Sequence, residues 1–226
     1  MKALVIAIDG PAASGKSTTA KLVARALGYL HIDTGAMYRA VTLKVLNHGV
    51  DPENEAAVIH VARSTTIELK PGPDGNIVLL DGDDVSAAIR QPDVTRHVSA
   101  VSSYQAVRDV MVMAQRRLAA HGGAVLEGRD IGTVVLPEAD LKVYMIADVQ
   151  SRARRRQRDL AAAGIETEAE ALVDEIQERD RKDSTRSASP LRKADDAVEV
   201  DTSDLTIDEQ VASIVTKAQE ILKRRT

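Results

Sequence analysis

The chain has 226 residues, 44% of them hydrophobic and 28% charged, which is the composition of a globular, soluble chain long enough for one α/β domain with insertions. A net charge of −4 argues against non-specific binding of DNA or RNA, and the absence of cysteine excludes disulfides and zinc–thiolate sites. No apolar run approaches the ~20 residues a membrane helix needs, and no leader-like segment precedes the first strand, so the expected location is the cytosol.

In chain order, Ala3–Ile8 reads as a short buried strand and Lys16–Leu27 as a helix. Tyr29–Ile32 reads as a second strand ending at Asp33, and Gly35–Asn47 as a helix with a broad apolar face. Pro52 suits the first turn of a helix running to about Arg63, with Asp51 as its N-cap. Thr65–Leu69 and Ile77–Leu80 are β-rich and flank P-G-P-D-G-N, a hairpin signal, with Asp84–Ile89 adding a third short element. Pro92–Ser103 and Gln105–Ala120 read as helices, Ala124–Glu127 and Leu141–Ile146 as strands. Gln150–Ala162 and Glu168–Lys182, split by Gly164, form a charged helix pair; Ala197–Val200 is the last strand and Ile207–Arg225 the closing amphipathic helix. Five short buried strands alternating with helices predict an α/β fold, a five-stranded parallel sheet wrapped by helices, with ligands at the carboxyl ends of the strands. The expected division is a core of 1–63, 92–148 and 187–226, a β-rich insert at 64–91 and a helical lid at 149–186.

Residues 10–17 read G-P-A-A-S-G-K-S directly after the first strand and opening the first helix. This is the phosphate-binding loop, G-x-x-x-x-G-K-[ST], in the context it needs. The glycines let successive N–H groups point at one anion, and the helix N-terminus adds partial positive charge. Gly10, Pro11, Ala12, Ala13, Ser14, Gly15, Lys16, Ser17 and Thr18 are therefore candidate ATP contacts. Within this set Lys16 reaches for the β- and γ-phosphates, and the Ser17 hydroxyl is the candidate magnesium ligand.

The loop alone does not separate a kinase from a GTPase, an ATPase or a transport motor. There is no guanine-reading N-K-x-D and no apolar run ending in Asp-Glu. Instead D-T-G-A-M-Y-R (33–39), E-G-R-D-I-G-T-V-V (127–135) and E-R-D-R-K-D-S-T-R-S-A-S-P-L (178–191) interleave arginines with aspartates. Arginine suits bidentate binding of phosphate, and carboxylates accept from exocyclic amines or sugar hydroxyls. That combination fits a nucleoside monophosphate. Arg129–Asp130 has a rival reading as an internal ion pair, Arg179–Asp183 as a helix-surface pair. The five histidines show no ligand spacing and are read as structural, and Tyr38 is read as core.

Over essentially its full length the chain resembles the bacterial cytidylate kinase family. The resemblance is carried by I-D-G-P-A-A-S-G-K-S (8–17), H-I-D-T-G-A-M-Y-R-A (31–40), L-E-G-R-D-I-G-T-V-V (126–135) and E-R-D-R-K-D-S-T-R with S-P-L (178–191). It implies the P-loop kinase fold with a nucleoside-monophosphate insert and a mobile lid, ATP with Mg2+ as donor, and CMP or dCMP as acceptor. By motif, Arg39, Arg129 and Arg186 would hold the acceptor phosphate. Ser99, Arg108 and Asp130 would read cytosine. Arg179 and Asp183, with Thr34 beside them, would contact the sugar. Family members often carry Ser at the Thr34 position, and Thr keeps the hydroxyl.

Phosphoryl transfer asks for in-line alignment and charge neutralisation rather than covalent help. The expected catalytic cations are Lys16 and the lid arginines Arg155 and Arg156, while Arg152, Arg154 and Arg158 are expected at the surface or in salt bridges. The lid is expected to close when both substrates are present, hinging near Ala147–Asp148 and Ser187–Pro190. The rival functions are a P-loop kinase for UMP, AMP or a non-nucleotide acceptor, and a non-catalytic nucleotide-binding module. The expected partners are small-molecule substrates, without nucleic acid or membrane, and the expected state is a monomer.

Overall fold

Aliphatic runs bounded by glycines set the architecture. In the computed structural model, which describes residues 3–72, 75–162 and 164–225, β1 (Val5–Asp9) is buried from Ile6 onward and feeds α1 (Lys16–Leu27) through the glycine loop. Gly28 ends α1 in a left-handed turn, its N–H returning to the last carbonyls of the helix. The chain then enters β2 (Leu30–Asp33) and α2 (Thr34–Asn47). Five strands form one sheet in the order β2–β6–β1–β7–β8, where β6 is Ala124–Gly128, β7 is Leu141–Ile146 and β8 is Val198–Asp201. The expected five-stranded parallel α/β sheet is the one observed. β1 lies between β6 and β7, parallel to both, with Asp9 abreast of Gly128 on one side and Tyr144 on the other.

The chain divides into two compact units, Met1–Leu30 with Gly122–Thr226, and His31–His121. The core of the first unit packs Leu4, Ile6, Ile8, Val125, Val143 and Met145 of the sheet against Ala20, Val23 and Ala24 of α1 and Ile214 and Ala218 of α8 (Ile207–Arg224). With no Phe or Trp in the chain, this packing is aliphatic. α8 opens with a capping box in which Thr206 and Glu209 satisfy each other's N–H groups. The same unit holds the helix pair α6 (Val149–Ala162) and α7 (Ala169–Thr185), joined over a small cluster of Ala153, Leu172 and Ile176.

The second unit holds α2, α3 (Glu55–Arg63), an antiparallel sheet of β3 (Ile67–Gly72), β4 (Gly75–Leu80) and β5 (Asp83–Asp84), then α4 (Pro92–Val101) and α5 (Gln105–Ala119). Its core sets Ala36, Ala40 and Leu43 of α2 against Val78, Leu80, Val85, Ile89 and Val94. The expected hairpin is present, Gly72 pairing with Gly75; the Pro73–Asp74 tip of the expected turn lies outside the described residues.

One local expectation needs correction. The helix expected from Pro52 starts at Glu55, and its cap is Asn54, which accepts the Ala57 N–H at 3.2 Å. Asp51 is drawn instead into a turn of its own, accepting the Glu53 N–H at 3.0 Å, so the chain reverses once more before the helix begins. The G-R-D-I-G-T-V-V segment also carries an unexpected π-helical turn, Ile131–Val135, in which the Val135 N–H reaches back to the Asp130 carbonyl at 3.1 Å.

Candidate active site

The loop between β1 and α1 adopts a conformation that only this glycine spacing permits. A Cβ on Gly10 would lie 2.1 Å from the Met145 carbonyl oxygen of β7, so the loop can hug the sheet only without one. Gly15 has φ near 93°, a left-handed geometry favourable to glycine, and it turns the chain into α1. Lys16 is buried, its ammonium donating to the Pro11 carbonyl at 2.7 Å and lying 3.4 Å from the Ser14 hydroxyl. Burial, with the nearby Arg129 guanidinium adding to it, pushes the Lys16 pKa down to about 7. Ser17 donates its hydroxyl to the buried Glu127 carboxylate of β6 at 2.6 Å.

The C-terminal segment braces the same loop. The Thr202 hydroxyl, completely buried, donates toward the Ser14 and Ile146 carbonyls at 2.9 and 3.0 Å. Gln210 accepts the Thr19 hydroxyl at 2.8 Å from across the α1–α8 contact. Arg155 of α6 joins them, donating to the Ser14 carbonyl at 3.2 Å and to both the hydroxyl and the carbonyl of Thr202. Arg156 is half-buried on the same helix.

Arginine–carboxylate pairs connect the strand ends to the helix pair. Arg129 donates to Asp183 of α7 at 2.8 Å, and Arg186 stands 3.8 Å from Asp130 and 4.0 Å from Asp183. Thus Arg129 and Asp130, adjacent in sequence, each find a partner near the end of α7. Burial opposes the ionised Asp183 carboxylate, but the Arg129, Arg179 and Arg186 guanidinium groups hold its pKa below the usual range. Arg179 is half-buried one turn earlier on α7.

Arg152 meets the salt-bridge half of its expectation and not the surface half: it is paired with Asp180 of α7 but is 7% exposed, and it donates to the Ala147 carbonyl at 3.1 Å and toward the Ala12 carbonyl at 3.4 Å. Its position at the base of α6 directs it inward, whereas Arg154 and Arg158 are exposed, as expected.

In the second unit, Asp33 caps α2 by accepting the Ala36 N–H at 2.8 Å and pairs with Arg39 at 3.0 Å. Burial raises the Asp33 pKa, but Arg39 and that N–H outweigh it, so the carboxyl is held below its ordinary value. Thr34 is buried at the start of α2 and Ser99 half-buried on α4. Arg108, 1% exposed on α5, stacks over the Tyr38 ring at 5.2 Å and donates to the Ser102 carbonyl at 3.1 Å. Tyr38 is core, as expected, and it is also the platform for that guanidinium.

The model of the cytidylate kinase family, described as "Cytidylate kinase", matches residues 6–220. The chain belongs to the cytidylate kinase family. The cytidylate kinase of Anoxybacillus flavithermus is 52% identical over 219 residues, covering 97% of each chain. That of Limosilactobacillus reuteri is 50% identical over 225 residues, covering 98% of this chain and 99% of the relative. Among solved structures, a gluconokinase from Sinorhizobium meliloti superposes with a TM-score of 0.50 at 14% identity, covering 99% of this chain and 96% of that one, a likeness of fold alone.

For a cytidylate kinase family member, then, the first unit brings together the phosphate loop, Arg155, Arg129, Asp130, Arg179, Asp183 and Arg186, and the second carries Thr34, Arg39, Ser99 and Arg108. Asp9, Thr202 and Gln210 were not singled out by sequence reasoning. Asp9 had a visible signal, a carboxylate closing an otherwise apolar strand; Gln210 had another, an amide on the apolar face of α8. Among the described residues no group of three or more His, Asp or Glu side chains forms a metal cage, and no helix is long and apolar enough to cross a membrane.

Proposed function

We propose that this chain is an ATP-dependent nucleoside monophosphate kinase that phosphorylates CMP and dCMP, releasing ADP. The observation that carries this reading is the family match over residues 6–220. The phosphate loop and its buried lysine support the donor half. The acceptor is assigned to two groups of residues: Thr34, Arg39, Ser99 and Arg108 in the second unit, and Arg129, Asp130, Arg179, Asp183 and Arg186 in the first.

The attacking acceptor phosphate is largely ionised at neutral pH, so no general base is required. The chain's task is to align the two phosphates and neutralise charge. Lys16, now resting on the Pro11 carbonyl, would turn to the γ-phosphate, which offers it a stronger, charged acceptor. Arg155 and Arg156 are assigned to the transferring group, with Arg155 leaving the Ser14 and Thr202 carbonyls as the lid residues 149–186 close. Hinges at Ala147–Asp148 and Ser187–Pro190 are assigned to that closure, and residues 64–91 to the acceptor-binding insert.

A magnesium ion bound with ATP would neutralise charge on the β- and γ-phosphates. The residues fit such an ion: the Ser17 hydroxyl and the Glu127 carboxylate present hard oxygen atoms 2.6 Å apart beside the loop, and magnesium characteristically takes its remaining ligands from phosphates and water. Ser17 would be its direct protein ligand. We further assign the protein a monomeric state and a cytosolic location, with no nucleic-acid partner.

The test is a coupled assay of ADP release with ATP–magnesium and CMP, dCMP, UMP, AMP or GMP in turn. Fast turnover with CMP and dCMP and slow turnover with the others is the expected result. Equal turnover with AMP or UMP would remove the cytosine assignment and leave a kinase; no turnover with any would favour another acceptor or a binding module.

A further inference from the structure

A helical turn starts with N–H groups that have no partner within it, and an aspartate just before the first helical residue ordinarily accepts them with its own carboxylate. Asp130 stands at that position before the Ile131–Val135 turn and makes no such bond. Its carboxylate lies instead 3.8 Å from the Arg186 guanidinium. The first two N–H groups of the turn, those of Ile131 and Gly132, donate to Oδ1 and Oδ2 of Asp9 at 2.8 and 2.7 Å. Asp9 is the last residue of β1, immediately before the phosphate loop, and is 4% exposed. The strand register that sets Asp9 opposite Gly128 brings its carboxylate to the turn.

We propose that Asp9 is a positioning residue for the acceptor. It caps the Ile131–Val135 turn in place of Asp130, so the Asp130 carboxylate and the Arg129 guanidinium stay turned to CMP, and it ties their loop to the strand that delivers the phosphate loop. The inference rests on the reading of Arg129 and Asp130 as CMP contacts.

The chemistry requires a carboxylate here. Two N–H donors point at one side chain, and only an ionised carboxylate offers both of its oxygens as acceptors. An asparagine would accept one N–H and turn its own NH2 against the other. Burial works against the charge, raising the Asp9 pKa to about 6, and the two N–H bonds counter that cost. Without Asp9, the open N–H groups would draw in the nearest carboxylate, that of Asp130, and withdraw it from the acceptor.

The experiment compares steady-state kinetics of the full-length wild type, Asp9→Asn, Asp130→Asn and the double variant, varying CMP, UMP and ATP separately. Thermal melting of each variant is recorded alongside. Asp9→Asn is expected to raise KM for CMP about tenfold, the scale of one hydrogen bond to a charged group, and to erode the preference for CMP over UMP. KM for ATP should hardly change, and Asp9→Asn should add little in the Asp130→Asn background, because the two residues act through one contact. Should Asp9→Asn not fold, Gly132→Ala carries the test. Its Cβ would press on the Lys142 side chain at 3.2 Å and rest against Asp9 Oδ2 at 3.4 Å, crowding the same joint with the charge kept. A smaller rise in KM for CMP, again without a rise for ATP, is then expected. Equal rises for both substrates, an unchanged KM for CMP, or full additivity with Asp130→Asn would overturn the role of Asp9. A wild type that fails to prefer CMP over UMP would overturn the acceptor reading itself, and the inference with it.

Discussion

Strands β6, β1, β7 and β8 of the central sheet and the α6–α7 pair belong to the same compact unit but are held together by different forces. The sheet is held by strands buried to 0% exposure at Ile6, Ile8 and Val125 and by two helices packed on them. Among the described residues the buried apolar side chains of the helix pair are Ala153, Leu172 and Ile176; the pair Arg152–Asp180 joins the two helices to each other, and polar contacts tie them to the rest, the ion pairs Arg129–Asp183 and Arg186–Asp130 and the hydrogen bonds of Arg152 and Arg155 to the Ala12 and Ser14 carbonyls. Apolar burial has no competitor among substrates, whereas an arginine paired with a carboxylate can be taken over by a phosphate. On the proposed reading, that contrast would give ATP a rigid seat and the helix pair the charge response of a lid, since segments with few buried apolar contacts open at low free-energy cost.

The largest expected effect lies on the rigid side. Lys16→Met removes the buried cation assigned to the γ-phosphate and should lower kcat by about 10²–10³-fold, with the melting temperature little changed. Near-normal turnover would show that the lid arginines alone neutralise the transferring group.

Matched core truncations separate the two regions directly. Ile8→Ala leaves a cavity in the sheet and should cost about 2–5 kcal/mol, seen as a fall in the global melting temperature. Leu172→Ala makes a similar cavity in the helix pair. If that pair opens as the proposed lid, the melting temperature should fall much less, while proteolytic cleavage within 149–186 speeds up and kcat/KM drops. Equal losses of melting temperature would mean that the lid and the sheet unfold as one unit.

Arg152→Met keeps the aliphatic stem and removes the charge shared by Asp180 and the Ala147 and Ala12 carbonyls. Asp180 is partly exposed, so its unpaired charge can be solvated and the stability loss should be modest. Kinetically, the larger change should be in KM for the acceptor, because α7 carries Arg179 and Asp183. An unchanged KM with lowered stability would make Arg152 a structural brace and nothing more.

What could be read from the sequence divides along the same line. The phosphate loop and the strands were legible because each is a contiguous signal: a motif of fixed spacing, or an aliphatic run between glycines. For Arg152 a salt bridge was among the readings, but its burial and its partner were not legible, because whether a helix arginine faces solvent depends on where the next helix lays its carboxylates, here Asp180. Asp9 was visible as an odd residue at the end of an apolar strand, but its partners Ile131 and Gly132 lie far along the chain and are met only after the sheet assembles. At the start of α3, two capping residues competed, and Asn54 prevailed because Asp51 was already spent on its own turn. The pairing of Arg129 with Asp183, rather than with its neighbour Asp130, was out of reach for the same reason: it joins a strand end to a helix from elsewhere in the chain.

The smallest expected effect is a proton. Burial lowers the Lys16 pKa from 10.5 to about 7. Between those values the unfolded chain binds more protons at Lys16 than the folded one does. This residue therefore makes the apo protein more stable as pH rises from about 7 toward 10, and contributes no such gain below 7. Nucleotide phosphates reverse the balance by placing anions beside the amine, which restores the charged form. Binding of ATP at pH 8 should then take up most of one proton at Lys16, measured as the dependence of calorimetric binding heat on the ionisation enthalpy of the buffer. ATP's own phosphates titrate nearby, so the quantity that decides is the difference between wild type and Lys16→Met at saturating nucleotide. An uptake present in the wild type and lost in the variant places the amine against the phosphates. Equal values in both would mean that Lys16 stays on the Pro11 carbonyl with ATP bound, and the seat would then be rigid in a stronger sense than proposed here.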